Sequence, residues 1–378
     1  MTTPPPPPGA PSVTATAPEH RFPCEACGAA MRFDPRLGAL VCDHCGHVAE
    51  VDDRNGPWGA PNAIRELDFR AALANQLDAA DLEETQVFHC RSCGAEVEFQ
   101  PGVHSGECPF CATPIVGDSG PSRHIKPKGL VPFAVSEADA REAMTRWLGR
   151  LWFAPSGLQQ YARKGRRMEG IYIPYWTFDA QTRSSYSGQR GTVYFQSRRR
   201  SDGSVEQVAK VRWSPARGRV ARFFDDVLVP GSRSLPAEMV SGLPPWDLSR
   251  LEPYKPEYLA GLRAEAYGIE LDEAFHAARA HMDQVIARDV RFDIGGDRQR
   301  IHRIDTEVAA VTFKHVLLPV WVGVYRYRGE AYRLLVNAQS GRVQGARPWS
   351  AWKIAAAVLL GLAAAAAIGY AIALNQGL

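Results

Sequence analysis

The chain has 378 residues, 45% of them apolar and nine of them tryptophan, enough for two or three domains around a substantial core. Its net charge of +3 hides a division: residues 1–120 hold seven Lys+Arg against seventeen Asp+Glu, and residues 121–378 hold 37 against 24. The first part has no lysine at all, which argues against an N-terminal half that grips phosphates.

Residues 1–20 are a Pro/Thr/Ala stretch with Pro4 to Pro8 in a row and no apolar secretory core, so a disordered, partly polyproline II leader is expected. Residues 21–51 then carry Cys24, Cys27, Cys42 and Cys45, as two CxxC pairs separated by fourteen residues. Cys90, Cys93, Cys108 and Cys111 repeat the pattern with the same gap in residues 87–117. Cys-Glu-Ala-Cys-Gly-Ala at 24–29 matches Cys-Arg-Ser-Cys-Gly-Ala at 90–95, and Phe33 and Pro35 are matched by Phe99 and Pro101. A module has been duplicated.

A tight CxxC turn lets two thiolates meet one metal, and a second pair across a hairpin completes a tetrahedron. Zinc fits such a set, at about 2.3 Å per sulfur. Two zinc ions are therefore expected, one per ribbon, in closed structural sites. Iron, as a cluster or a rubredoxin-like centre, and disulfides are the competing readings. Zinc-bound pairs belong in a reducing compartment. His44, His47, His89 and His104 lie near the cysteines but are not needed as ligands.

Between the ribbons, residues 52–86 are predicted to hold a linker helix. Ile64, Leu67, Phe69, Leu73 and Leu77 fall near one stripe, and Asn62 is a candidate cap. Residues 117–121 read as a hinge. The body, 122–348, opens with a helix after Ser136 that carries Ala140, Ala143, Trp147, Leu148 and Leu151 on one face. Arg163, Lys164, Arg166 and Arg167 form a basic loop, and Arg198 to Arg200 a second basic cluster between strands. From Gly170 the period turns towards two, and strands are predicted at 171–179, 192–196, 205–213 and 220–229. Helices are expected at about 256–267 and 271–288, the second with His276 and His281 on its flank. Further strands follow at 308–313, 316–327 and 332–336. Ile173-Pro-Tyr-Trp176 and Leu318-Pro-Val-Trp321 echo each other.

Residues 354–374 contain no charge and are long enough to span the ~30 Å hydrocarbon layer as a helix. Trp349, Trp352 and Tyr370 flank the span, and Arg342, Arg347 and Lys353 precede it. The positive-inside rule then places the body in the cytoplasm. A row of small residues, Ala357, Gly361, Ala365, Gly369 and Ala373, offers a helix-packing face.

The chain lacks GxxxxGK[ST], HExxH, GxSxG and a GxGxxG that opens a helix after a strand. No catalytic residue and no small-molecule substrate are predicted. Asp225-Asp226 and the acids of 293–297 read as loop pieces.

The CxxC pairs, Trp152-Phe-Ala-Pro155, the run from Gly170 to Ala180, Tyr186 to Gly191, and Leu317 to Trp321 through Tyr325, Tyr327 and Trp349 together resemble a family of bacterial membrane-anchored zinc-ribbon proteins. Its members are labelled TFIIB-type zinc ribbon-containing, or primosomal protein N′ (replication factor Y), superfamily II helicase. The resemblance implies a cytoplasmic body held by one C-terminal helix, and partners among membrane-stress or membrane-organising proteins. Where related chains tend to read Asn-Gly in the last turn, this one has Asn337-Ala338, followed by Gly341.

The expected architecture is α+β: two tandem Cys₄ ribbons, a mainly antiparallel β body with helices, and one C-terminal transmembrane helix. The expected function is that of a non-enzymatic adaptor in the cytoplasmic membrane, presenting protein-binding surfaces to the cytoplasm. A membrane-associated nucleic-acid-binding or replication accessory protein is the alternative. An enzyme with its site around Trp176, Asp179 and Trp321 is a third reading.

Overall fold

In the computed structural model, the described residues are 22–51 and 64–375, apart from 93, 99–104, 112, 117–119, 156–157, 159–167, 202–203 and 329. The Pro-rich leader, Asn62, Cys93, His104 and the basic loop at 163–167 lie outside them.

Apolar and β-branched residues from Gly170 onward build one 31-residue strand rather than two short ones. This is β11 (Glu169–Arg199) of seventeen described strands. It pairs antiparallel with β12 (Val205–Pro230) on one side and β15 (Arg298–Tyr327) on the other. The predicted breaks are absent because Gly188 and Gly191 sit inside the strand. A Cβ at Gly188 would lie 2.3 Å from the Arg300 carbonyl oxygen, so these glycines permit close strand approach instead of turning the chain.

Burial along β11 follows what covers it. Residues 170–180 are buried without alternation, as a strand covered on both faces must be. From 181 to 188 the even-numbered residues stay buried and the odd ones do not, so one face is covered. From 192 to 199 little is buried, and β15 has ended, because its first residue, Arg298, pairs with Gly191. The hairpin therefore runs on as a two-stranded ribbon.

Around this sheet the smaller elements fall in order. Ribbon 1 is a three-stranded meander, β1 (Met31–Asp34), β2 (Ala39–Cys42) and β3 (Val48–Glu50). The predicted linker helix is reduced among the described residues to α1 (Phe69–Leu73), followed by one 3-10 turn, Ala79–Asp81. Leu67 and Asp68 form β4 and pair with β15 at Phe313 and Thr312. The apolar stripe thus reaches the core by strand pairing, Asp68 caps α1 by accepting from the Ala71 N–H, and Asn75, at φ 54°, ends it.

Ribbon 2 comprises β5 (Leu82–His89), β6 (Glu96–Glu98), β7 (Ser105–Glu107) and β8 (Pro114–Val116). Its β5 also pairs with β9 (Gly120–Ile125), so the segment read as following a hinge extends the ribbon's own sheet. β10 (Gly129–Leu130) joins the large sheet beside β15. α2 (Glu137–Gly149) starts as expected, with Ser136 accepting from the Asp139 N–H.

After β12 come the short α3 (Ala237–Ser241) and β13 (Glu252–Pro253). The helix expected at 256–267 is a 3-10 turn, Pro256–Leu259, followed by β14 (Arg263–Ala264). Gly261, at φ 75°, breaks the helical course, and β14 pairs with β11 at Ile171 and Tyr172. α4 (Leu271–Ile294) runs six residues past its predicted end and buries Ala274, Ala278, Met282, Ile286, Val290 and Ile294 against the long strands. His276 and His281 are exposed on it.

β16 (Glu330–Asn337) and β17 (Val343–Gly345) complete the sheet. Their turn does not need the Asn-Gly pair. Asn337 Oδ1 accepts from the N–H groups of Gln339 and Ser340, and Gly341, at φ 74°, supplies the left-handed position. α5 (Ala351–Asn375) follows, and its 22-residue apolar stretch Ala351–Ile372 has no buried residue among the described residues; its first turn meets the body through Lys353.

The two strand–Pro–x–Trp segments pair with each other. Ile173 opposes Leu318, Tyr172 opposes Pro319, and Pro174 opposes Leu317. Each indole donates to a backbone carbonyl of a covering segment: Trp176 to Ile269 at 2.9 Å and Trp321 to Val135 at 2.7 Å.

Candidate metal centres

Four CxxC knuckles share one backbone geometry. In each, the N–H of the first cysteine donates to the carbonyl five residues on: Cys24 to Ala29, Cys42 to His47, Cys90 to Ala95 and Cys108 to Thr113, at 2.7 to 2.9 Å. The glycine after the second cysteine returns its N–H to the first, at 2.7 to 2.9 Å, in the knuckles of Gly28, Gly46 and Gly94. Those glycines have φ of 74° or 75°, a conformation that costs an L-residue roughly 1–2 kcal/mol. Cys93 lies outside the described residues, but its knuckle closes through Cys90, Gly94 and Ala95 as the others do.

This geometry gathers the sulfurs. Cys24, Cys27, Cys42 and Cys45 converge, as do Cys90, Cys108 and Cys111, and no histidine among the described residues joins either set. Sγ atoms are 3.5 Å apart in the pairs Cys24/Cys45, Cys27/Cys42 and Cys90/Cys111. A disulfide needs about 2.0 Å. Sulfurs about 2.3 Å from a common tetrahedral centre are about 3.8 Å apart. The donor sets therefore fit a metal and are not disulfides. The N–H groups of Cys45 and His44 are the main reason the Cys42 thiol drops to about 6.

Each centre is built into the body. Cys24, Cys42, Met31, Phe33 and Leu40 join the core that holds Phe133, Tyr172 and Trp321. Cys90, Cys108, Phe88, Val97 and Phe110 join the core that holds Ile171, Ile173 and Val316. Tyr172 lies between Ile171 and Ile173 on β11, so the ribbons contribute to the cores on opposite faces of the same strand.

One segment, 254–267, touches both. On ribbon 1, the Phe33 N–H donates to Ala260 O at 2.9 Å, and the Phe33 and Tyr258 rings meet at 5.2 Å. On ribbon 2, Arg263 Nη1 donates to Glu107 O at 2.8 Å, and Glu265 bridges Val97. The Glu265 carboxyl is 2% exposed. Ser232 and Ser234 both donate to Oε1, Oε2 has no partner among the described residues, and burial pushes the acid up to about 7.

Asp225 and Asp226 are not loop residues. They form a bulge in β12 opposite Asp179, and Asp226 takes φ 50°. The carboxylates of Asp179, Asp225 and Asp226 cluster there. Lys314 enters the same bulge, its Nζ 2.8 Å from Asp226 Oδ1 and 3.0 Å from Glu66 Oε1. Burial, opposed by the Asp226 N–H and reinforced by Glu66, raises Asp179 to about 6. Trp176 and Trp321, the other residues of the enzyme reading, are core side chains bonded to backbone.

His124 and His315, which carried no signal in the sequence, are buried beside Trp176 and Tyr267. Burial holds both below the usual histidine range, His315 at about 4. A single histidine inside a strand-forming run has no spacing that marks it as buried.

No protein family and no solved structure matches the chain. It is similar to YdjG of Bacillus subtilis (strain 168), an uncharacterized protein, at 24% identity over 338 residues, 89% of this chain and 92% of that one. The resemblance to membrane-anchored zinc-ribbon proteins thus rests on the sequence motifs.

Proposed function

We propose that the chain is a non-enzymatic, membrane-tethered adaptor in the cytoplasmic membrane. The helix Ala351–Ile372 is its single-pass anchor, and the body is held in the cytoplasm for protein partners. The observation that carries this reading is that helix: 22 residues, apolar, and with none of them buried among the described residues. Trp152, Trp349 and Trp352 are exposed at its base, where an aromatic belt belongs, and Lys353 Nζ donates to Trp152 O and Ala154 O.

Zinc is the metal the eight cysteines would hold. Bound there, it is a structural crosslink that four thiolates leave with no open position. Both ribbons then act first as staples of the β11 region, and what they present to partners is their outer surface.

Crosslinking the full-length protein in native membranes, followed by purification, tests the reading. Recovery from the membrane fraction with a reproducible set of proteins is expected. A protein found in the soluble fraction, or one that brings no other protein with it, overturns it. A nucleic-acid accessory role is the second reading, favoured by the nine Lys+Arg against two Asp+Glu in residues 190–222. Helicase activity has no motor motif to rest on.

A further inference from the structure

We propose that the two-stranded ribbon at the end of the long hairpin is an amphipathic arm that docks on the anionic lipid surface of the membrane holding the C-terminal helix. The inference rests on the anchor reading and extends it.

The register sorts the ribbon's side chains. On one face lie Val193 with Val211, Phe195 with Ala209, Ser197 with Gln207, and Val205 opposite Arg199. On the other, more polar face lie Thr192 with Arg212, Tyr194 with Lys210, Gln196 with Val208, and Arg198 with Glu206. Phe195 is 68% exposed and Val205 63%.

The apolar face begins where the third strand stops. Further down the same face, where β15 is present, the residues are Arg183, Ser185 and Ser187, paired with Arg217, Arg219, Asp305 and Glu307, a surface suited to water. Trp213 marks the change and is covered by the Arg300 guanidinium at 4.0 Å. Beyond it Val193 and Val211 are half-buried, and Phe195 and Val205 stand exposed. An isolated two-stranded hairpin is marginal in water, so an apolar face here needs a partner phase.

Charge identifies the partner. The ribbon carries Arg198, Arg199, Arg200, Lys210 and Arg212, and among the described residues only Arg200 has a carboxylate partner, Glu206 at 2.9 Å. Nucleic acid would engage the cations and leave Phe195 and Val205 in water. A lipid interface takes both kinds of group: apolar side chains sink below the phosphates and arginine stems rise to them. Phe195 is 25 residues of unbroken strand from Gly170, roughly 80 Å at about 3.3 Å per residue, so docking would lay the body along the bilayer.

The test uses full-length protein in vesicles of phosphatidylcholine alone or mixed with phosphatidylglycerol. A photo-crosslinking p-benzoylphenylalanine replaces Phe195, Gln196 on the opposite face, or Leu360 in the anchor, one at a time. Irradiation is expected to give lipid adducts from position 195 in the anionic vesicles, several-fold fewer in neutral vesicles or high salt, and few from position 196. Arg198→Gln/Arg199→Gln should lower the yield at 195 towards its neutral-vesicle level. Lipid adducts at 360 with none at 195 overturn the arm and leave the anchor. Adducts at 195 with none at 360 support the arm and overturn the anchor. Adducts from 195 to a second copy of the chain, or to added DNA in preference to lipid, overturn the proposal.

Discussion

Arg263 donates to the carbonyl of Glu107 at 2.8 Å, one residue before Cys108 and on the strand that pairs with β11 at Ile171. Removing metal from ribbon 2 should therefore loosen the centre of the body as well as the ribbon. A strong chelator is expected to raise amide hydrogen exchange across residues 171–178. Unchanged protection there, with all metal gone, would show that the ribbons do not brace the sheet.

Gly46 has open space around it but takes φ 75°. Gly46→Ala meets no clash and is strained only through its backbone, so the cost should be about 1 kcal/mol. A fall of a few degrees in melting temperature is expected, with metal content unchanged at saturating metal.

Glu265 and His315 set opposite pH dependences. Burial raises the folded pKa of Glu265 to about 7 from an ordinary value of 4.5, so the folded state holds the extra proton and stability falls as pH rises through that window. Glu265→Gln should gain on the native protein above pH 7, on the order of 2 kcal/mol, and the gain should shrink towards pH 4.5. His315 is held at about 4 against 6.5, so its contribution is lost as pH falls from 6.5 to 4. His315→Gln should flatten that acid limb. Thermal melts across pH 4 to 9 read both.

Lys314→Met leaves Glu66, Asp179 and Asp226 without their shared cation in a largely buried bulge. Breaking a fully buried pair costs about 3–5 kcal/mol, and the partial exposure of Glu66 and Asp226 brings the expectation to about 2 kcal/mol. Asp179 should titrate above its present value of about 6, so the variant should recover stability on acidification. A loss that is the same at pH 5 and pH 8 would rule out this account.

The cysteine geometry was legible because a metal knuckle is local: two residues between ligands and a left-handed glycine fix it. The helices at 137–149 and 351–375 were legible for the same reason, one through the Ser136 cap and the other through its unbroken apolar run. Misreadings arose where a distant strand settled the conformation. Leu67 and Phe69 fit a helical stripe, yet Leu67 pairs with Phe313, 246 residues away. The segment between the strands predicted at 171–179 and 192–196 is itself strand, and this was not legible because nothing near Gly188 and Gly191 in the sequence shows the strand that crowds them. The packing of both ribbons on β11 was hidden too, since it depends on the 254–267 segment, whose own short strand carries no periodic signal.

The pairing of Glu169–Arg199 with Arg298–Tyr327 also bears on biosynthesis. The metal knuckles can close soon after they leave the ribosome. The middle strand then waits with one edge bare while about a hundred further residues are made. Such contacts between distant parts of a chain form slowly, and an open apolar edge invites wrong partners. The apolar C-terminal helix is made only after that edge has its neighbour, so a nascent chain with the sheet still incomplete is open to chaperones before that helix exists.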